Sequence, residues 1–323
     1  MTRDDIVVSE PGHVGRARLL ALAAARRANL LGQRVSLAAT ELASNLVKHA
    51  GRGLFGVVAW NGRLDLLAID SGPGIRRLAD SLRDGYSTTG TLGAGLGAVR
   101  RAADLFDAYT LAGAGAVVLA RWRSEPTSGP RVGAALFTAP GETDCGDMWT
   151  AVGSAGALTI AVSDGLGHGT PAAEASRVAI STVSESAARA PGSILESVQP
   201  RIARTRGATV AVAQVRPAEG KVRFGGVGNV ACRLYSAPGA RAARLVSRPG
   251  IVGAAGAKRA VESTADWSRE SRRLPRTDGV SDRWSAGDWP GLFGHDPATV
   301  AAWVLGRRGR GRDDACVVAV TGE

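Results

Sequence analysis

Cysteine, lysine, methionine and aromatic residues are all scarce in this sequence, and what is missing narrows the function before any motif is considered. Three cysteines in 323 residues, Cys145, Cys232 and Cys316, are odd in number, widely spaced and form no CxxC pair. Such a set predicts neither a disulfide framework nor a zinc site, and the three read as small buried residues. No run reaches the roughly 18 uncharged apolar residues that a membrane-spanning helix needs. The opening MTRDDIVVSE places charges where a secretory signal would have its apolar core, so a cytoplasmic location with no membrane partner is expected. Only three of the 40 basic residues are lysines, Lys48, Lys221 and Lys258. The formal net charge of +11 is carried by arginines scattered among Ala, Gly and Val, so there is no clustered patch for a phosphate backbone and nucleic acid is not an expected partner. No internal repeat is visible.

What is present is ordinary globular material, 45% hydrophobic and 21% charged, in a chain longer than one core usually fills. Two domains are expected, over 1–123 and 134–323. The stretch SEPTSGPRVG at 124–133, rich in Ser, Pro and Gly and without apolar periodicity, is read as the linker. In the first domain, helical patterns cover Arg16–Ala28 and Val35–Ala50, the latter with Leu37, Leu42, Leu46 and Val47. GLFGVVAW and RLDLLAID read as strands joined by Asn61-Gly62, a pair that tolerates positive φ. A helix near Leu96–Leu105 and a strand at Ala116–Trp122 complete an α/β sandwich. In the second domain, strands at Leu158–Val162, Ala208–Val215, Val222–Gly226 and Ala315–Val320 with one helix at Thr170–Ala188 predict a β-rich α+β sandwich.

In ELASNLVKHA, Glu41 and Asn45 lie four apart and share one helix face. A carboxylate there can accept a proton from an attacking hydroxyl, and an amide oxygen one turn on can hold Mg2+ against phosphates. Exposed Glu and Asn at this spacing are usually only solvated. DSGPGI at 70–75 follows an apolar strand, so Asp70 can accept from an amino group while Gly72 and Gly74 let a flat ring approach the backbone; a plain turn is the competing reading. GYSTTGTLGAGLGAVRR, 85–101, ends in glycines before a helix start, where free N–H groups bind phosphate. It is neither a Walker loop nor a GxGxxG fingerprint.

In this order, the three elements resemble the nucleotide-binding boxes of the GHKL ATPase superfamily. DGYSTTGTLGAGLGAVRRAAD is most similar to the RsbT-like stressosome switch serine kinases, with the resemblance covering about residues 5–123. It implies a Bergerat-type fold, ATP with Mg2+, Glu41 as catalytic base, Asn45 as Mg2+ ligand and Asp70 as adenine contact. Gly72, Gly74, Thr89, Gly90, Gly93, Gly95 and Gly97 would line the nucleotide pocket. Lys48 and His49 carry no assigned role. No phospho-acceptor histidine motif precedes the domain, in keeping with transfer to serine or threonine.

The second half carries CGDMW with Asp147, VSDGLGHG with Asp164, RTDGV with Asp278 and GRDDA with Asp313 and Asp314. Carboxylates gathered at strand ends can hold two divalent cations for in-line attack of water on a phosphate ester, although any single Asp-Gly is more often just a turn. As an ordered set they resemble the PPM phosphatases in the SpoIIE-like, RsbX-like branch, from about Thr138 to Gly322. GVGNVACRL, within 225–234, and RPGIVGAAG at 248–256 fit that branch too. The resemblance implies an αββα sandwich, two Mn2+ or Mg2+ ions, Asp147 and Asp164 as bridging ligands, a carbonyl from Gly165, and Asp278 and Asp313 completing the set, with Asp314 a neighbour. His168 either orients water or phosphate or is a structural loop residue. One departure stands out: SRESRRLPRTDGV is charged and proline-bearing where the family has an apolar strand leading into its Asp-Gly.

Together the two resemblances imply a bifunctional switch, with kinase and phosphatase acting oppositely on STAS-domain antagonist or scaffold proteins and, through them, on a sigma factor or stress pathway. The alternative is an anti-sigma-type module that sequesters its partner, followed by a weak or inactive phosphatase domain.

Overall fold

The computed structural model describes residues 2–82, 95–123, 130–154, 156–235, 243–255, 260–268, 270–281 and 283–322, with the side chains of 2, 3 and 272–274 left aside. It divides into two units, Met1–Ser128 and Gly129–Glu323.

The first unit runs β1 (Thr2–Val8), α1 (Pro11–Arg27), α2 (Gly32–Asn45), a π-helical turn (Leu46–Ala50), β2 (Gly53–Trp60), β3 (Arg63–Asp70), α3 (Leu78–Ser81), α4 (Gly95–Ala102), β4 (Leu105–Leu111) and β5 (Gly115–Arg123). Its sheet is antiparallel in the order β1-β2-β3-β5-β4. Pro11 starts α1, where a missing N–H costs nothing. The helix then buries Ala17, Ala21, Ala24 and Ala25 at helical spacing, small side chains that let it lie close to Val35, Ala38, Ala39, Leu42 and Ala43 of α2. Asn61 and Gly62 join β2 to β3 with φ of 47° and 67°, as the pair predicts. Trp122 on β5 fixes the end of α4 through Nε1–H donated to the Ala102 carbonyl at 2.7 Å. On β3 and β5 the register partners Asp65 and Arg121 form a fully buried bidentate pair at 2.6 and 2.9 Å, with Arg63 at 2.9 Å from the same carboxylate. Burial alone would raise the Asp65 carboxyl; Arg121 and Arg63 outweigh it and hold the group below its ordinary value.

The second unit runs β6 (Arg131–Phe137), β7 (Asp147–Ser154), β8 (Ala157–Gly165), α5 (Thr170–Glu185), α6 (Pro191–Arg201), β9 (Ala208–Arg216), β10 (Lys221–Val227), β11 (Ala231–Tyr235), β12 (Ala243–Leu245), β13 (Val261–Asp266), β14 (Arg272–Arg276), α7 (Pro297–Arg308) and β15 (Ala315–Thr321). Two antiparallel sheets form, β13-β10-β9-β8-β7 and β12-β11-β14-β15-β6. Helices α5 and α6 cover the first and α7 the second, giving an αββα sandwich. Close approach sets both outer layers: a Cβ on Gly133 of β6 would stand 2.0 Å from the Ala298 nitrogen of α7, and one on Gly165 would stand 2.1 Å from the Ala172 carbonyl oxygen of α5.

Two segments differ from the sequence expectation. Arg131–Gly133, read as linker, begin β6 and pair with Thr321–Ala319 of β15. The charged segment before Asp278 does form a strand, and a central one. Pro275 pairs in register with Cys232 of β11, while the ladder to β15 is interrupted between Arg273 and Arg276, because proline has no N–H to give. Arg276 ends β14 almost fully buried, its guanidinium brought down to about 10 by burial and by Arg233 and Arg244 nearby.

Candidate active sites

In the first unit, α2 presents Glu41 and Asn45, both half-buried, from its last turns. The Glu41 Oε2 accepts the backbone N–H of Gly95 at 3.1 Å, so this carboxylate faces the first residue of α4, where φ is 50°. Gly97 is buried in the first turn of the same helix. The π-helical turn after Asn45, a feature frequent at functional sites, brings Ala50 against the loop that follows β3. A Cβ on Gly72 would meet the Cα and Cβ of Ala50 at 3.0 Å. Lys48 and His49 point into solvent from that turn.

Asp70 closes β3, and its Oδ1 accepts the N–H groups of Gly72 at 2.8 Å and Ala116 at 3.3 Å. The loop around it leaves no room for side chains. A Cβ on Gly115 would lie 2.1 Å from the Asp70 carbonyl oxygen, and Gly74, at φ 78°, packs against the Leu111 carbonyl. The sequence-predicted residues therefore form two groups, Glu41 with Gly95 and Gly97, and Asp70 with Gly72 and Gly74, linked through the helix that carries Asn45. Thr89, Gly90 and Gly93 lie outside the described residues.

In the second unit, Asp147 and Asp164 are register partners across β7 and β8, so their side chains leave the same face side by side. Thr209 of β9 continues that row beyond Asp164. Asp147 is buried, and its Oδ2 accepts the hydroxyl of Thr277 at 2.6 Å. Thr277 is tied to β15 by its own N–H to the Cys316 carbonyl and by the Cys316 N–H to its hydroxyl, so a residue of one sheet orients a carboxylate of the other. Asp278 follows Thr277. A Cβ on Gly279 would stand 2.0 Å from the Asp314 carbonyl oxygen, which brings the RTDGV turn flush against RDDA and Asp278 toward Asp313.

Electrostatics records the convergence. Burial, and then the carboxylates of Asp278, Asp313 and Asp314, push the Asp164 carboxyl up to about 7. The Asp278 carboxyl is raised by burial and by Asp313, with Arg310 opposing. Crowded anions of this kind, all hard oxygen donors, fit Mg2+ or Mn2+ by their chemistry. Among the described residues no three His, Cys, Asp or Glu side chains close on a single point. Three carboxylates of the set accept from donors of the protein: Asp147 from Thr277, Asp278 from Asn229 and Asp313 from the Asp314 N–H.

Asp314 does something its sequence context does not reveal. It is buried, and its two oxygens accept the N–H groups of Ala139 at 2.9 Å and Gly146 at 2.7 Å, clamping both ends of the loop that delivers Asp147. The same loop reaches the segment after Asp164: Glu142 contacts His168 Nδ1 at 2.6 Å, and Asp144 accepts the Thr170 hydroxyl at 2.7 Å. Glu142 and Asp144 could have been found only by noting that two acids lie within five residues of Asp147. Asn229 lay in a quoted motif without a role.

A profile described as Stage II sporulation protein E (SpoIIE) matches residues 154–321. The chain belongs to the SpoIIE family. Ahead of that region, this SpoIIE-family chain carries a histidine kinase-like ATPase domain over residues 7–122. The latter is similar to the serine/threonine-protein kinase RsbT of Bacillus subtilis (strain 168), 42% identical over 94 residues, which are 28% of this chain and 71% of RsbT. A chain from a structure of the bacterial stressosome aligns with a TM-score of 0.54 and 26% identity, covering 59% of this chain and 98% of that one. RsbX in complex with magnesium aligns with a TM-score of 0.54 and 21% identity, over 62% of this chain and 98% of RsbX, a likeness of fold. The architecture is thus an RsbT-like ATPase unit followed by a PP2C-type SpoIIE unit. No helix among the described residues is long and apolar enough to cross a membrane.

Proposed function

We propose that the chain is a bifunctional switch, phosphorylating serine or threonine on a protein partner with its first unit and removing such phosphate with its second. The observation that carries the phosphatase half is the side-by-side placement of Asp147 and Asp164 in register, with Asp278 and Asp313 close enough to drive up the proton affinity of Asp164.

In the first unit, ATP would sit between the Asp70 loop and the start of α4. Asp70, with Oδ1 held by two backbone N–H groups, is oriented to accept from the exocyclic amine of adenine. Asn45 would hold Mg2+ against the phosphates, and Glu41 would take the proton of the attacking hydroxyl. Its hydrogen bond to Gly95 couples the base to the helix whose amino terminus faces phosphate.

In the second unit, Asp147, Asp164, the Gly165 carbonyl, Asp278 and Asp313 would hold two divalent cations, Mn2+ or Mg2+. Bound there, they supply charge neutralisation for the phosphoryl group and an activated water. Thr277 keeps Asp147 turned inward, Asp314 fixes the loop that carries it, and Glu142 of that loop holds His168. The partners that the RsbT and stressosome likenesses favour are STAS-domain antagonists or scaffolds in the cytoplasm, with a sigma factor or stress response downstream.

The test uses the purified full chain, γ-labelled ATP with Mg2+ and the STAS-domain protein encoded nearest to its gene. Label should move to a serine or threonine of that protein and be released when Mn2+ is added. Stable co-purification of the two proteins without transfer of label would contradict the proposal and favour sequestration.

A further inference from the structure

The turn between β10 and β11 reaches the acidic cluster from a side that none of the four aspartate motifs occupies. Asn229 stands on that turn, and its side-chain amide donates to the Oδ2 of Asp278. Facing a carboxylate, the amide must present its NH2 rather than its carbonyl, which fixes its orientation.

The turn itself is held on several sides. Gly228, at φ 105°, lies so close to Thr209 that a Cβ there would stand 2.2 Å from the threonine Cβ, and Thr209 is the register partner of Asp164. The Gly228 N–H donates to the Arg248 carbonyl at 2.7 Å, and the Ser247 hydroxyl donates to the Val230 carbonyl at 2.7 Å. Asn229 is therefore an exposed side chain on a pinned backbone, next to Gly228, which packs on Thr209 at the end of the row that contains Asp147 and Asp164. Thr209 adds a second sign that the row is built for a ligand: its hydroxyl is buried and has no hydrogen-bond partner among the described residues.

We infer that Asn229 is a positioning residue for the cation site, holding one oxygen of Asp278 so that the other faces Asp164 and Asp313. An amide suits the task because it donates without bringing charge. A lysine or arginine at this position would neutralise a ligand carboxylate, and an aspartate would add to a cluster already dense in anions. Donors behind a metal ligand orient it and tune its affinity, and their loss typically weakens metal binding by about 10- to 100-fold. This inference rests on the phosphatase reading of the second unit.

The experiment measures Mn2+ uptake by the full chain directly, from the loss of the free-ion electron paramagnetic resonance signal, alongside thermal melting without metal. Asn229→Ala and Asn229→Leu remove the donor with and without loss of volume. Both should raise the Mn2+ dissociation constant by about tenfold or more while the melting temperature stays at the wild-type value, and Asn229→Gln should recover part of the loss. Wild-type affinity in both the Ala and Leu variants would overturn the inference and leave the phosphatase reading standing. If the wild-type chain itself takes up no Mn2+, the reading of the second unit falls and this inference with it.

Discussion

Replacing Asp314 with alanine should unfold the second unit more readily than any other single carboxylate deletion in the acidic cluster. Asp314 is 4% exposed and accepts two buried backbone N–H groups, from Ala139 and Gly146, one to each oxygen. Its removal leaves both donors without a partner, at about 1–3 kcal/mol apiece. One effect opposes this, since Asp314 is among the anions that raise the Asp164 carboxyl, but relief of one repulsion at partly solvated distances is worth roughly 1 kcal/mol. The loss of hydrogen bonds wins, for a net destabilisation of about 1–5 kcal/mol, a large share of the stability of an ordinary domain. Urea denaturation followed by the fluorescence of the buried Trp149, Trp284, Trp289 and Trp303 should place the midpoint about 1 M lower, with any separate transition of the first unit unmoved. Asp313→Ala is the control: its side chain is exposed, so stability should change by no more than about 0.5 kcal/mol even where activity is lost. An Asp314→Ala midpoint no lower than that of Asp313→Ala would refute the reasoning.

Glu41→Gln keeps the acceptor for the Gly95 N–H and removes the base, so ATP binding should persist while phosphotransfer falls by about 100-fold or more; an unchanged rate of label transfer would exclude Glu41 as the base. Asp65→Asn strips the partner from a buried Arg121 and should cost the first unit about 3–5 kcal/mol, read in chemical denaturation. Because the Asp65 carboxyl is held below its ordinary value in the fold, its contribution is complete above about pH 4 and is lost as pH falls through the lower folded value. Thermal melts between pH 2 and 6 should therefore show acid sensitivity in the wild type that Asp65→Asn flattens.

Periodicity made much of the fold legible. GLFGVVAW and RLDLLAID are strands to the residue, and the Asn61-Gly62 turn between them follows from local backbone chemistry alone. Where a segment lacks a one-sided pattern, the reading failed. Helix α7 is buried on every side from Pro297 to Leu305, so no polar face marks it as a helix, and β14 hides a central strand inside a run of arginines with a proline. The sites followed the same division. Aspartates beside glycines stand out because close backbone approach requires those glycines, as at Gly165 and Gly279. Thr277, Asn229 and the clamp made by Asp314 depend on contacts between residues 130, 49 and 168–175 positions apart, which no local pattern encodes.

The phosphatase half is tested most directly by Mn2+-dependent hydrolysis of a phosphoserine peptide by the full chain and by its Asp164→Asn variant. The wild type should release phosphate only when the divalent ion is present, and the variant should fall at least 100-fold while melting at the same temperature or above it, since a carboxyl raised to about 7 by burial and neighbouring anions is no source of stability when ionised. An Asp164→Asn enzyme that retains wild-type hydrolysis would contradict it.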